Sequence, residues 1–340
     1  MENNKTKKKE CLNKIEENEA RTIHMKQILS LIKMLSLPQA ECEVYCREKR
    51  LERYREYGGR VRFLRLHRIA HHLLLPALML TVRKAGWKLK IVRDDRKQTR
   101  RPVIFCPTHI GGLDAEMAII AIRMQCWVVL GDPRELYKDP AGMMLQMNGW
   151  VPFDVSHRED RMAAKAQMKA VLESGENLLL YPEGAYNVSP NWLLNHLFAG
   201  AVELAITCGA EIVPIALERH DSTYHCIIGE NLTYNNSSLD DRFALTGKLR
   251  DHMATLKWEL IETLPQQKRE NITETSYRQF LREVIQTNYD YTYTLEDILE
   301  TQFHPKGIVS PEEAFSFFSR LKIKKENAFL AKHMQRNSVT

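Results

Sequence analysis

The stretch Val103-Ile104-Phe105-Cys106-Pro107-Thr108-His109-Ile110-Gly111-Gly112-Leu113-Asp114 decides how this chain is read. Its first four residues form a short apolar run, the pattern of a strand buried on both faces. The next residues form a turn with two adjacent glycines, and a helix is expected to begin near Asp114. That order places His109 just past the carboxyl end of a strand, where layered α/β folds carry their sites. Asp114 follows five residues later across the Gly111-Gly112 turn. A carboxylate at that distance can take the proton of one imidazole nitrogen and leave the other facing outward as a base. Such a pair, with no Ser or Cys nucleophile beside it, suits proton abstraction from a substrate hydroxyl or amine.

The same texture extends to both sides. Trp127-Val128-Val129-Leu130, Trp150-Val151-Pro152-Phe153, Leu178-Leu179-Leu180-Tyr181 and Ile212-Val213-Pro214-Ile215 read as further strands. Residues 115–124, 135–147, 161–172 and 200–207 read as helices between them. This alternation predicts an α/β fold: a layered, largely parallel sheet flanked by helices. Beyond residue 235 the strands cease. Leu245, Leu249, Met253, Leu256, Leu260 and Leu264 recur at helical spacing before Pro265, and 275–286 and 294–301 look helical. Ser310-Pro311-Glu312-Glu313 combines an N-cap, Pro at the first helical position and a capping-box Glu. The expected organisation is a polar arm over 1–40, basic amphipathic helices over 41–87, an α/β domain over 88–235 and a helical C-terminal extension over 236–340.

Composition narrows the classes. The chain has 340 residues, 44% hydrophobic and 27% charged, which is globular rather than disordered or fibrous. No apolar run reaches the ~18 residues of a membrane-spanning helix. The lysines near the N-terminus are not followed by the apolar core of a signal peptide. The seven cysteines are odd in number and scattered, which points to free thiols in a reducing, cytoplasmic compartment.

Net charge is +6, but residues 47–101 hold 18 Lys and Arg against 5 Asp and Glu, a local +13. An acidic partner or surface is therefore expected. Arg60, Arg62, Arg65 and Arg68 precede a nearly apolar segment, 69–82, which Arg83 and Lys84 close. The segment is too short to cross a bilayer, and Pro76 interrupts it. It fits a helix lying in the headgroup region of an anionic membrane, on the inner face. Tyr54, Tyr57, Phe63 and Trp87 also lie in this block, yet no nucleic-acid recognition motif accompanies them, so nucleic acid is not the expected partner. His71 and His72 have no third ligand nearby and read as interfacial or core residues; no metal site is expected.

Two further pieces join His109 and Asp114. Tyr181-Pro182-Glu183-Gly184 closes another strand, and Val213-Pro214 lies in a third, preceded by Gly200. Over residues ~88–230 the order and spacing of these motifs resemble the glycerolipid acyltransferase family, which contains the lysophosphatidic acid acyltransferases. The resemblance implies that His109 is a general base and Asp114 its orienting partner. It also implies that Glu183 and Gly184 belong to the substrate site. The reaction implied is transfer of a fatty acyl group from an acyl thioester, acyl-CoA or acyl carrier protein, to a lipid hydroxyl or amine, with no metal or redox cofactor.

Four positions depart from the family's pattern. Ala185-Tyr186 stands where Thr-Arg is usual, Val155 follows Phe153-Asp154 where Arg is usual, Phe198-Ala199 replaces a Lys before Gly200, and Thr108 replaces Asn. Three of these remove a positive charge where the family meets the acceptor's phosphate, and phosphate recognition leans on Arg and Lys. Tyr186, Asn187, Ser189 and Asn191 instead offer neutral groups suited to a polyol, sugar or amide headgroup. The expectation is an acceptor without the glycerol-phosphate group. The alternatives are a conventional lysophosphatidic acid acyltransferase in which Arg158 or Arg161 replaces the missing charge, and a non-catalytic lipid-binding protein.

Overall fold

The computed structural model describes residues 29–30, 32–61, 63–131, 133–189, 192–266, 268–285, 294–306, 322 and 324. The chain forms two compact units, Met1–Phe303 and His304–Thr340. The helix start expected at Ser310 lies outside the described residues, as does Asn191.

Seven strands form one sheet in the order β1-β7-β6-β2-β5-β3-β4: β1 (Lys88–Asp94), β2 (Val103–Pro107), β3 (Trp127–Gly131), β4 (Trp150–Phe153), β5 (Leu178–Leu179), β6 (Glu211–His220) and β7 (Thr223–Ile228). Every pairing is parallel except β6 with β7, so the fold is the expected layered, largely parallel α/β sheet. β2 and β5 are buried along their whole length, as strands covered on both faces must be. One side of the sheet packs Ile104, Cys106, Leu178 and Ile212 against Val171, Val202 and Leu249. The other packs Phe105, Leu179, Val213 and Ile215 against Ala118, Ile119 and Ile122.

The described residues include the α-helices α1 (Gln39–Tyr57), α2 (Leu64–Lys84), α3 (Asp114–Ile122), α4 (Pro140–Asn148), α5 (Arg158–Glu173), α6 (Gly200–Cys208), α7 (Arg242–Glu262), α8 (Glu274–Ile285) and α9 (Leu295–Thr301). Four local expectations are corrected. The helix expected over 135–147 is a 3-10 turn, Glu135–Tyr137, then a break and α4. Pro140 disfavours helical backbone at Asp139, whose side chain instead caps Ala141 N at 2.7 Å. The strand expected over 178–181 shrinks to Leu178–Leu179. Two strands were not expected. β1 carries Lys88, Lys90, Arg93 and Asp94 along a sheet edge, and β7 mixes His and Thr among its apolar residues.

α7 lies against β6 and β7, burying Leu249, Met253 and Leu260. The leucine periodicity beyond residue 235 is therefore the face by which this helix covers the sheet. Its buried Lys257 pairs with Glu218 and donates to the Leu217 carbonyl.

Much of the basic block is consumed inside the fold. Arg47 of α1 meets Asp154 at 2.7 Å, and Arg50 meets both oxygens of the buried Asp160 at 3.0 and 2.5 Å. Arg68 of α2 meets the buried Glu176 at 2.8 Å. Arg93, Arg96 and Lys97 also pair with carboxylates. Among the described residues Arg65, Arg83 and Lys84 have no ion-pair partner, and no described helix is long and apolar enough to cross a membrane.

Candidate active site

The carboxyl ends of β2 and β5 bring the two motifs together. The strands are hydrogen-bonded neighbours, Ile104 with Leu178 and Phe105 with Leu179, so the chain leaves them roughly 5 Å apart. His109 follows β2 and Glu183 follows β5, and residues 74 apart in sequence meet: the His109 N–H donates to Glu183 Oε1 at 2.8 Å.

The turn after β2 is built around one carboxylate oxygen. Gly111 and Gly112 have φ of 77° and 65°, a left-handed conformation that glycine adopts without steric cost. The chain curls so that Asp114 Oδ2 accepts from Ile110 N at 2.8 Å and Gly111 N at 2.9 Å, and lies 2.8 Å from His109 Nδ1. Asp114 is buried and opens α3, where the helix dipole favours its charge. With Nδ1 engaged, the imidazole's other nitrogen is the one available to a reacting group.

Two aromatic rings hold the imidazole. Tyr181 stacks on it with centroids 4.0 Å apart, and Tyr186 meets it edge-on at 4.4 Å. Burial, and then the charges of Asp114 and Glu116, push the Tyr181 hydroxyl well above its ordinary pKa. Asn187 N–H donates to the His109 carbonyl at 2.8 Å.

Glu183 is fully buried beneath this loop. Its second oxygen accepts from Asn195 N at 2.8 Å. Burial pushes its pKa up to about 7, against the pull of the two backbone N–H groups that favour the carboxylate. Gly184 has φ of 72°, and a Cβ there would come 2.4 Å from the Phe198 ring, so the turn after Glu183 also requires glycine.

His109, Asp114, Glu183, Gly184 and Tyr186 therefore form one cluster. Asn187 adjoins it through its backbone, but its side chain serves the loop, donating to Trp192 O at 2.9 Å and accepting from Ser189 N at 3.0 Å. Arg158 and Arg161 stand apart. Both are exposed at the start of α5, which follows the edge strand β4, three strand spacings or ~14 Å from β2. Neither has a hydrogen bond or ion pair to the cluster among the described residues, and Arg161 bonds to Val155 O instead. Asn195, which braces Glu183 and donates to the Ala185 and Tyr186 carbonyls, escaped sequence reasoning because no motif marks it. The sequence placed Tyr181 at the end of a strand that stops at Leu179, and not as the ring under His109.

Residues 88–218 match the family model described as Acyltransferase. Among solved structures the chain is similar to the crystal structure of the 1-acyl-sn-glycerophosphate (LPA) acyltransferase PlsC from Thermotoga maritima. The identity is 12% and the TM-score 0.43, over 72% of this chain and 91% of that one. No curated protein matches the chain. The matched segment contains β1 to β5, both glycine turns and the whole His109 cluster. Residues 88–218 are thus an acyltransferase domain within the chain.

Proposed function

We propose that this protein transfers a fatty acyl group from a thioester, acyl-CoA or acyl carrier protein, to a hydroxyl or amine of a lipid acceptor. The observation that carries this reading is the 2.8 Å contact between His109 Nδ1 and an Asp114 oxygen already held by two backbone N–H groups. The free imidazole nitrogen takes the acceptor's proton as its oxygen or nitrogen attacks the thioester carbonyl. The C–S bond then breaks, and the departing thiolate takes that proton from the imidazolium. Asp114 steadies the positive charge between the two steps. Glu183 acts through the backbone, fixing the His109 N–H and the loop that carries Tyr186.

The reacting end of the acceptor is read as neutral. Tyr181 and Tyr186 lie against the His109 ring and Asp114 meets its Nδ1, and among the described residues none of these side chains is cationic. This supports a polyol, sugar or amide headgroup over a phosphate placed beside the reacting hydroxyl. Release of thiol from acyl-CoA, with and without a lipid extract and with defined acceptors, tests the reading. Acceptor-dependent release by wild type and none by His109→Ala is expected. Equal release without acceptor would make the enzyme a thioesterase, unchanged behaviour of His109→Ala would make the fold a lipid-binding one, and exclusive use of lysophosphatidic acid would remove the neutral acceptor.

We also place the enzyme peripherally on the cytoplasmic face of an anionic membrane. α2 turns Leu66, Ile69, Leu73 and Leu80 outward on one face, with Leu73 72% exposed, while the opposite side carries the buried His71 and Val82. Met143, Met144 and Met147 of the adjoining α4 add exposed apolar surface. An apolar stripe flanked by Arg65, Arg83 and Lys84 fits the headgroup boundary of such a membrane.

A further inference from the structure

α8 lies outside the acyltransferase domain in sequence, yet it packs on both loops of the site. The Val284 carbonyl accepts from Gly112 N at 3.3 Å, and a Cβ at Gly111 would come 2.4 Å from the same oxygen. Val284 is buried with Ala185 and Val188, and Tyr186, Leu281 and Ile285 pack against that cluster. Tyr277 donates its hydroxyl to Val188 O at 3.1 Å. One helix therefore touches the turn between His109 and Asp114 and the loop between Glu183 and Asn195.

A charged contact fixes this helix. Arg219, near the end of β6 and one residue past the family match, forms an ion pair with Glu283 of α8. Its guanidinium also lies 5.4 Å from the Trp87 ring centroid, and Trp87 meets Tyr224 edge-on at 5.6 Å. The buried Tyr224 hydroxyl accepts from Leu113 N at 2.9 Å, and a Cβ on Gly112 would fall 2.5 Å from that oxygen. The Gly111–Leu113 turn is thus held from two sides, by Tyr224 from the sheet and by Val284 from α8, and Arg219 lies against both supports.

We propose that Arg219 and Glu283 are positioning residues for the acyl transfer: their ion pair seats α8 on the Gly111-Gly112 turn, and so sets the aim of His109 and Asp114. The inference rests on the acyl-transfer reading. A turn of glycines has many conformations, and the one held here presents three donors to a single Asp114 oxygen. The ion pair is partly exposed, with side chains 24% and 43% accessible, so its loss removes little folding free energy while loosening the helix over the turn.

The full-length protein tests this through acceptor-dependent thiol release by wild type, Glu283→Gln, Arg219→Gln, the charge-swapped double variant Arg219→Glu with Glu283→Arg, and His109→Ala. Each single variant is expected to lose kcat on the order of tenfold, because small misplacements of a catalytic group are costly, while acceptor and donor KM stay within about twofold. The thermal midpoint should hold, and the swapped pair should recover most of kcat. Wild-type kcat in Glu283→Gln would overturn the proposal, as would a loss that follows a lowered thermal midpoint and is not recovered by the swap. Activity surviving in His109→Ala would overturn the acyl-transfer reading itself. An inactive His109→Ala beside fully active Glu283 and Arg219 variants would remove only the positioning role.

Discussion

Two regions of this molecule hold buried carboxylates in opposite ways. At the carboxyl ends of β2 and β5, Asp114 and Glu183 are held by uncharged donors: Ile110 N, Gly111 N, His109 N and Asn195 N. Beneath α1 and α2, Asp160 and Glu176 are held by Arg50 and Arg68. A backbone N–H stabilises a carboxylate without cancelling its charge, so Asp114 retains a field that can favour an imidazolium. An arginine cancels the charge and leaves adhesion. The first region is arranged for chemistry. The second fastens two helices to the body of the protein.

The largest expected effect lies in the first region. His109→Ala should lower acceptor-dependent thiol release by about 10²–10⁴-fold, and Asp114→Asn should fall in the same range while the protein stays folded. A mild effect of Asp114→Asn would break the contrast, because the carboxylate would then be only a brace.

Next comes the second region. Asp160→Ala leaves the largely buried Arg50, 13% exposed, without its carboxylate partner and should destabilise by about 3 kcal/mol in urea unfolding. Glu159→Ala, one residue away, removes an exposed pair with Arg55 and should cost less than about 1 kcal/mol. Both variants should keep their activity per folded molecule.

Glu183 sharpens the comparison through pH. Its folded pKa is raised from 4.5 to about 7, so the folded state binds its proton more tightly than the unfolded chain does. The stability contributed by the protonated form is whole below pH 4.5 and is lost as pH rises through about 7. At ~1.36 kcal/mol per unit this amounts to about 3 kcal/mol. Thermal midpoints of wild type should therefore carry a falling component over that window, which Glu183→Gln lacks. Identical slopes in the two proteins would show that the backbone donors outweigh burial.

The smallest effect concerns the apolar stripe. Leu73→Glu should weaken flotation with phosphatidylserine vesicles by about 1–3 kcal/mol, with folding and activity on a dispersed acceptor unchanged. Flotation equal to wild type would leave the stripe of α2 without its proposed role.

β2, β3, β4 and the start of β6 were legible because a strand buried on both faces must be a short apolar run, and each of them is one. β1 was not, because Lys88, Lys90 and Arg93 at a sheet edge read like any charged linker. The spacing of His109 and Asp114 across the two-glycine turn allowed a pairing, and the motifs around Glu183 and Val213-Pro214 singled it out. The place of Arg158 could not be read, because sequence does not state how many strands separate two loops on the same edge. The basic block misled in a related way. Its excess of +13 suggested an external partner for the whole, while the carboxylates that meet Arg47, Arg50 and Arg68 lie about 100 residues further along.

What the sequence determined by itself was local: strand-forming apolar runs, two turns that only glycine fits, and a carboxylate within reach of an imidazole. Those depend on neighbours a few residues apart. The tertiary structure decided which distant elements meet. It set β5 beside β2 so that Glu183 reaches the His109 N–H, placed Tyr181 and Tyr186 on the imidazole, and laid α8 across the Gly111-Gly112 turn. Such contacts follow from how layers pack and in what order strands insert into a sheet, and no short stretch of chain encodes that order.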